Sequence, residues 1–332
     1  PRREAVDGPV VYFVDHFFRD HELIGRLPME KGDQLHFVDS SSEPEVTRID
    51  AFKEAVSAAD SRTPCCVVGI GGGNALDTAK AVANLLTNPG KAEDYQGWEL
   101  VKNPAVYKIG IPTLSGTGSE CSRTCVLTNI PKNLKLGMNS DYTVYDQLLL
   151  DPDLLATVPR DQYFYTGIDT FMHCVESLQG SYRNAIIDAF SIRAVQLCEE
   201  IFLSDDMMSE ENREKMMIAS YIGGMAAGNV GVIHPFSAGL GVVLHVAHGL
   251  GNCLALNVLG DIYPKEYKQF RTMIERQGVN LPTGICKDLT EEQYEGLYRG
   301  CIVHEKPLTN ALGPDFKQIL TRENLIERYK SI

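Results

Sequence analysis

An apolar run, Cys65-Cys66-Val67-Val68-Gly69-Ile70, breaks at three successive glycines and is followed at once by the helix-forming stretch Ala75-Leu76-Asp77-Thr78-Ala79-Lys80-Ala81-Val82. A buried strand, a tight turn and a helix in that order leave few folds open. Glycines let backbone N–H groups come close to a pyrophosphate, and the helix start behind them offers unpaired donors and a positive dipole end. The turn therefore suits the phosphates of a dinucleotide, with Gly71, Gly72, Gly73 and Asn74 as candidate contacts. A simpler account stays open: Asn74 as N-cap and Asp77 at the third helical position describe a capped helix after a tight turn, with no ligand needed.

The surrounding sequence repeats the same alternation. Val10–Val14 and Leu35–Val38 are short β-rich runs, the stretch from Glu45 to Asp60 has helical periodicity, and a further strand spans Val106–Ile111. Strand, helix and strand at this spacing imply a parallel, Rossmann-like sheet over residues 1–150, with another strand or turn region reaching Leu150. A second Gly/Ser/Thr-rich turn, Thr113 to Glu120, follows the Val106–Ile111 strand, where an open α/β sheet binds ligands. A solvated loop would have the same composition. Asp39, just past the strand ending at Val38, is placed to accept hydrogen bonds from an adenine-ribose hydroxyl and to repel a 2′-phosphate, although a turn aspartate in Asp39-Ser40-Ser41-Ser42 needs no ligand.

From Asp151 the texture changes: Pro152 and Pro159 punctuate a start, and the next hundred or so residues are rich in Ala, Met, Leu and Ile with little strand signal. Residues 151–332 are expected to form an all-helical domain, including a short helix over Glu291–Gly300. With 332 residues, two domains are the natural expectation. A formal charge of −13 and the lack of any Lys/Arg run interleaved with aromatics argue against a nucleic-acid partner. No apolar run approaches the ~18–20 residues needed to span a bilayer, and no secretory pattern opens the sequence, which begins at Pro1. The nine cysteines lack C-x-x-C pairs and are expected to be reduced, mostly buried thiols of a cytoplasmic protein.

Four residues of the second half carry metal-ligand chemistry. Asp169 and His173 are i and i+4 on a helix, so both leave one face about 5–6 Å apart at Cβ. His234 and His248 follow, fourteen residues apart. One carboxylate with three imidazoles suits a borderline divalent ion such as Fe²⁺ or Zn²⁺ better than Ca²⁺. An Asp–His hydrogen bond on a helix surface and satisfied core histidines are the alternatives. Pro235 disfavours helical geometry at His234 and suits the first helical position, so His234 is expected near a helix start. His248 lies in a glycine-flanked break, with His245 a spare imidazole three residues earlier.

Together these segments resemble the iron-containing (group III) alcohol dehydrogenase family over most of the chain. The resemblance rests on Gly71 through Lys80, Pro112-Thr113 through Glu120, Asp151-Pro152, Thr166 through His173, Arg213-Glu214-Lys215-Met216 and the His234/His248 spacing. It implies Asp169, His173, His234 and His248 as metal ligands, Gly71 to Gly73 at the pyrophosphate of NAD, and Asp39 facing the adenine ribose. It further implies Thr113 and Ser119 on the nicotinamide side, Lys135 near the cofactor ribose, and a homodimer. Ala238 departs from the family, many of whose members carry a second histidine four residues after the first C-terminal ligand, so the proton relay falls to His245 or to no histidine.

The activity so implied is oxidation of a primary alcohol to an aldehyde, the ion lowering the hydroxyl pKa and NAD taking the hydride. Within the family, the likeness is greatest to members acting at C8 of the sugar acid 3-deoxy-D-manno-octulosonate, on the way to an amino sugar of lipopolysaccharide. Three other readings remain: an alcohol dehydrogenase of another small polyol, a metal- and NAD-using lyase resembling 3-dehydroquinate synthase, and a non-catalytic sugar-binding or scaffold protein.

Overall fold

Two strands of this chain, Val10–Asp15 (β1) and Cys66–Gly71 (β3), are apolar along almost their whole length instead of alternating. That pattern belongs to parallel strands covered on both faces. The computed structural model, which describes residues 6–332, shows them paired side by side and parallel. Gln34–Val38 (β2) pairs in parallel with the other edge of β1, and Lys108–Pro112 (β5) with β3, so that with the two-residue strand Gln147–Leu148 (β8) the sheet order is β2-β1-β3-β5-β8. Val11, Phe13 and Val67 face one apolar cluster, with Val46, Ile49 and Val56 of the helix Val46–Ala59 and the alanines of the helix Gly73–Leu85. Val10, Tyr12, Val14, Val68 and Ile70 face another, with Phe18. The two-residue side-chain period of a strand produces this division.

Strand order also locates the ligand end of the sheet. The chain runs outward from β1 to β2 in one direction and from β1 to β3 and β5 in the other. Ligands of open α/β sheets bind beyond the strand C-termini at such a reversal. Gly71 ends β3 there, and its neighbour β1 ends at Asp15. A second, three-stranded sheet was foreshadowed only as a strand or turn region: Gly97–Trp98 (β4), Thr124–Asn129 (β6) and Leu134–Asn139 (β7), in the order β4-β7-β6. β6 and β7 are antiparallel, joined through Asn133 in the left-handed conformation.

The chain divides into two compact units, one comprising the residues up to Leu114 with Ser119–Leu154, the other Ser115–Gly118 with Leu155–Ile332. Among the described residues the second unit holds helices and no strand. Its centre is Arg160–Gln179, buried continuously from Thr166 to Ser177. A helix buried on all sides must be enclosed by others, and Ala185–Phe202, Glu210–Gly224 and His248–Val258 pack against it. Asn184 and Ser209 cap the first two of these by accepting from Ile187 and Asn212 N–H. Glu291–Ile302 is helical, two residues longer than expected, and short helices fill the polar C-terminal stretch. No helix among the described residues is long and apolar enough to cross a membrane. Eight of the nine cysteines are buried.

Two local expectations are corrected. The N-cap of the glycine-turn helix is Gly72, not Asn74, because the tight turn is completed at Gly71 and the helix starts at Gly73. His234 does lie at a helix start, but Pro235 is at the third position of the helix Ile233–Leu244 and not its first. The first N–H groups of a helix have no partner within it, so proline costs no hydrogen bond there and its bias on the preceding residue is overridden.

Candidate functional site

In the sheet unit, each glycine of the turn has its own role. Gly71 has φ of 152°, and a Cβ there would meet the Ala75 Cβ at 2.6 Å and the Asp15 Cβ at 3.0 Å. Gly72 has φ of −75°, and a Cβ would touch only Leu114 at 3.4 Å. The fold itself therefore requires glycine at 71, whereas at 72 only an approaching ligand would. Accordingly Gly71→Ala should destabilise by about 2 kcal/mol or more through strain and overpacking. Gly72→Ala should cost under ~1 kcal/mol, the difference between a glycine and an alanine N-cap, yet weaken NAD binding. Urea unfolding beside NAD titration checks the pair; equal stability losses would contradict the distinction.

Asn74 donates to the Ser42 carbonyl, joining the turn to the loop after β2. In that loop Asp39 is exposed and accepts from Ser41 N–H at 3.0 Å and Ser41 Oγ at 2.6 Å. The Ser41 hydroxyl first, then its backbone N–H, holds the Asp39 carboxyl below the usual carboxylate range. Thr113 N–H donates to the Gly71 carbonyl at 3.0 Å, which ties the end of β5 to the turn. Ser119 and Lys135 are engaged within the protein: Ser119 Oγ donates to Asp77 at 2.5 Å, and Lys135 Nζ donates to Glu43 at 2.9 Å. Asp77 also accepts from Val126 N–H at 2.8 Å and pairs with the fully buried Lys80 at 3.2 Å. Lys80 in turn donates to the carbonyls of Ser119 and Thr124. Asp77 is thus more than a helix-start residue: it anchors the glycine-turn helix to Ser119 and β6.

In the helical unit, one ligand atom from each of Asp169, His173, His234 and His248 lies within 4.8 Å of the others. Asp169 and His173 are on the central helix, His234 in the first turn of Ile233–Leu244, and His248 at the start of His248–Val258. Three Nε2 atoms surround one carboxylate: His234 at 3.1 Å and His173 at 3.7 Å from Asp169 Oδ1, His248 at 3.5 Å from Oδ2. The His173 and His234 rings stack with centroids 4.5 Å apart. Burial alone would raise the Asp169 carboxyl, but the facing imidazoles of His173 and His248 hold it well below the usual range. Burial drives the His173 imidazole down to about 3, so it is neutral and able to ligate. His234 moves the other way, up to about 9: burial pulls it down, but the charges and hydrogen bonds of Glu176 and Asp169 together outweigh burial.

Asp169 Oδ2 is buried with no hydrogen-bond partner among the described residues. A desolvated carboxylate oxygen ringed by imidazole nitrogens is costly by itself and suits a divalent ion. One oxygen and three nitrogens match Fe²⁺ or Zn²⁺. His245 is exposed, with φ of 55°, and ends the Ile233–Leu244 helix with its N–H bonded to the Leu240 carbonyl. It is outside the four-residue group.

Two residues of this constellation escaped the reading of the sequence. Glu176 binds His234 Nδ1, and Asn252 donates to Asp169 Oδ1 at 2.7 Å. Both had a signal. Glu176 is i+7 from Asp169 and i+3 from His173, and Asn252 is i+4 from His248, so each continues a face already carrying a candidate ligand.

Comparison with known proteins follows this geometry. The family model for iron-containing alcohol dehydrogenases matches residues 20–152, and that for the family's C-terminal part matches residues 163–296. The chain is similar to a sulfoacetaldehyde reductase of Bilophila wadsworthia, 34% identical over 64% of this chain and 56% of the relative. It is also similar to an NAD-dependent methanol dehydrogenase of Bacillus methanolicus, 32% identical over 61% of this chain and 53% of the relative. The chain thus spans little more than half the length of these curated relatives. The crystal structure of sulfoacetaldehyde reductase from Bifidobacterium kashiwanohense in complex with NAD⁺ superposes with a TM-score of 0.78 at 25% identity, covering 98% of this chain and 92% of that one.

Proposed function

Because the chain belongs to the iron-containing alcohol dehydrogenase family, we propose that it interconverts a primary alcohol and its aldehyde, with NAD as hydride carrier and a divalent ion as cofactor. The observation that carries this reading is the convergence of Asp169, His173, His234 and His248 on one point. An ion held there supplies Lewis acidity that lowers the pKa of a substrate hydroxyl. The chain's own residues do the rest. Asp169 contributes the single negative charge of the ligand set, and the neutral His173 adds a lone pair without a proton to displace. Gly72 and Gly73 open the helix start to the pyrophosphate, and Asp39 takes the ribose hydroxyls and repels a 2′-phosphate. Thr113, Ser119 and Lys135 complete the proposed dinucleotide set, the last two with Asp77 and Glu43 as their partners in the ligand-free protein. His245, exposed three residues before His248, is the imidazole offered to the departing proton.

For the substrate, the finer proposal is oxidation at C8 of 3-deoxy-D-manno-octulosonate, which rests on the resemblance read in the sequence and on none of the named relatives. The relatives named for sulfoacetaldehyde and methanol define the competitors to set beside it. The test is NADH absorbance on mixing metal-loaded protein and NAD⁺ with the sugar acid, isethionate, methanol or 1,3-propanediol, with a chelator-treated control. Chelator-sensitive NADH from the sugar acid alone is the expected result. Turnover of another alcohol alone keeps the reaction class and removes the sugar acid. Silence with every alcohol, despite bound ion and NAD⁺, overturns the dehydrogenase reading in favour of a lyase that reoxidises its cofactor within one turnover.

A further inference from the structure

Glu176 is fully buried on the central helix and has no part in the four-residue group. Its Oε2 is bonded to His234 Nδ1. Its Oε1 accepts the Ile233 backbone N–H at 2.6 Å and the Tyr263 hydroxyl at 3.3 Å. The Tyr263 oxygen in turn accepts Val232 N–H at 3.0 Å. The two carboxylate oxygens therefore have different tasks. One holds the start of the Ile233–Leu244 helix through a fixed backbone donor, and the other holds an imidazole. A carboxylate at a helix N-terminus also meets the positive end of the helix dipole.

We propose that Glu176 is a positioning residue that, by accepting the Nδ1 proton of His234, makes Nε2 the nitrogen presented to the Asp169 group and available to the ion, and so sets the affinity for the ion. This rests on the assignment of His234 as a ligand made above. A neutral imidazole has one N–H and one lone pair, and the bond made by one nitrogen decides the state of the other. An ionised carboxylate can only accept, so Nδ1 donates to Glu176 and, in the ligand-free protein, Nε2 donates to Asp169 Oδ1 at 3.1 Å; with Nδ1 so engaged, Nε2 is the nitrogen that gives up its proton when an ion binds.

Glu176→Gln separates this role from packing, because shape is kept and only the proton arrangement changes. The amide has two orientations. With its NH₂ toward Ile233, two donors would oppose each other at 2.6 Å, and a backbone N–H cannot turn away. The NH₂ is therefore driven toward His234, where it donates to Nδ1, moves the imidazole proton onto Nε2 and removes the lone pair needed by the ion. Zn²⁺ affinity of the chelator-stripped full chain, measured by competition with a chromogenic chelator, should fall 10–100-fold. Tyr263→Phe, which removes a bond to Oε1 and leaves the Oε2–His234 pair, should keep its Zn²⁺ affinity within ~3-fold while losing about 1 kcal/mol of stability. Equal affinity in Glu176→Gln and wild type, or an equal loss in Tyr263→Phe, overturns the proposal. A wild-type chain that binds no Zn²⁺ would remove the ligand assignment itself. Should Glu176→Gln fail to fold, the imidazole ¹⁵N spectrum of the wild-type Zn²⁺ form decides: a proton on Nδ1 of His234 supports the assignment, and a proton on Nε2 refutes it.

Discussion

His248→Ala should bind no stoichiometric iron or zinc after dialysis and should lose about 10³-fold or more in kcat/KM, equivalent to about 4 kcal/mol of transition-state stabilisation. The fold should survive. His248 sits at the first position of its helix with its side chain 29% exposed, so truncation leaves no enclosed cavity. Unfolding of the metal-stripped variant should match that of the metal-stripped wild type within ~1 kcal/mol. Metal content by emission spectroscopy and NADH production separate the outcomes. A variant that keeps its ion but loses activity would make His248 a substrate or proton group. One that keeps both would place the chemistry elsewhere.

The legible part of this molecule is the part whose physical cause is local. β1 and β3 are continuous apolar runs because helices cover both faces of a parallel sheet, and such runs stand out in any window. Asp169 and His173 share a helical face by spacing alone, whereas their meeting with His234 and His248 is signalled only by residue type and not by spacing. The illegible part depends on partners distant in sequence. β4 and β8 are two residues long and exist only because β7 and β5 lie beside them. Glu176 looks like one more polar residue on a helix until Ile233 and His234, fifty-seven and fifty-eight positions away, are brought against it. Proline at 235 misleads because its usual penalty is a lost hydrogen bond, and in a first helical turn there is none to lose.

The Thr113–Glu120 turn shows the same limit most sharply. Its composition fits a ligand loop or a solvated loop equally well, yet Ser115–Gly118 is packed among the helices of the second unit. Gly116 N–H donates to Ser220 Oγ at 2.8 Å, and its carbonyl accepts Thr170 Oγ1 at 2.9 Å. The Thr170 position directly follows Asp169 on the central helix.

Gly116→Ala should consequently be among the most damaging single substitutions in the chain. Gly116 has φ of 140°, and a Cβ there would lie 1.6 Å from the Thr166 carbonyl oxygen and 2.3 Å from its carbon. Those atoms belong to the backbone of a buried helix and cannot rotate aside. The loop must withdraw, breaking both hydrogen bonds. Backbone strain and overpacking each cost about 1–3 kcal/mol, and two lost bonds add about 2, so a destabilisation on the order of 4 kcal/mol is expected. In a unit of this size that corresponds to a fall in Tm of roughly 10 °C. Ser220→Ala is the matched control: it removes one acceptor and leaves the close approach intact, so it should cost only about 1 kcal/mol. Calorimetry of the two variants decides between steric and polar causes. If Gly116→Ala melts no lower than Ser220→Ala, the loop tolerates a side chain and glycine is required there for something other than packing. If it melts far lower and also binds Zn²⁺ more weakly, the displacement has travelled through Thr170 to its neighbour Asp169, and the turn acts on the metal group through the helix on which that group is built.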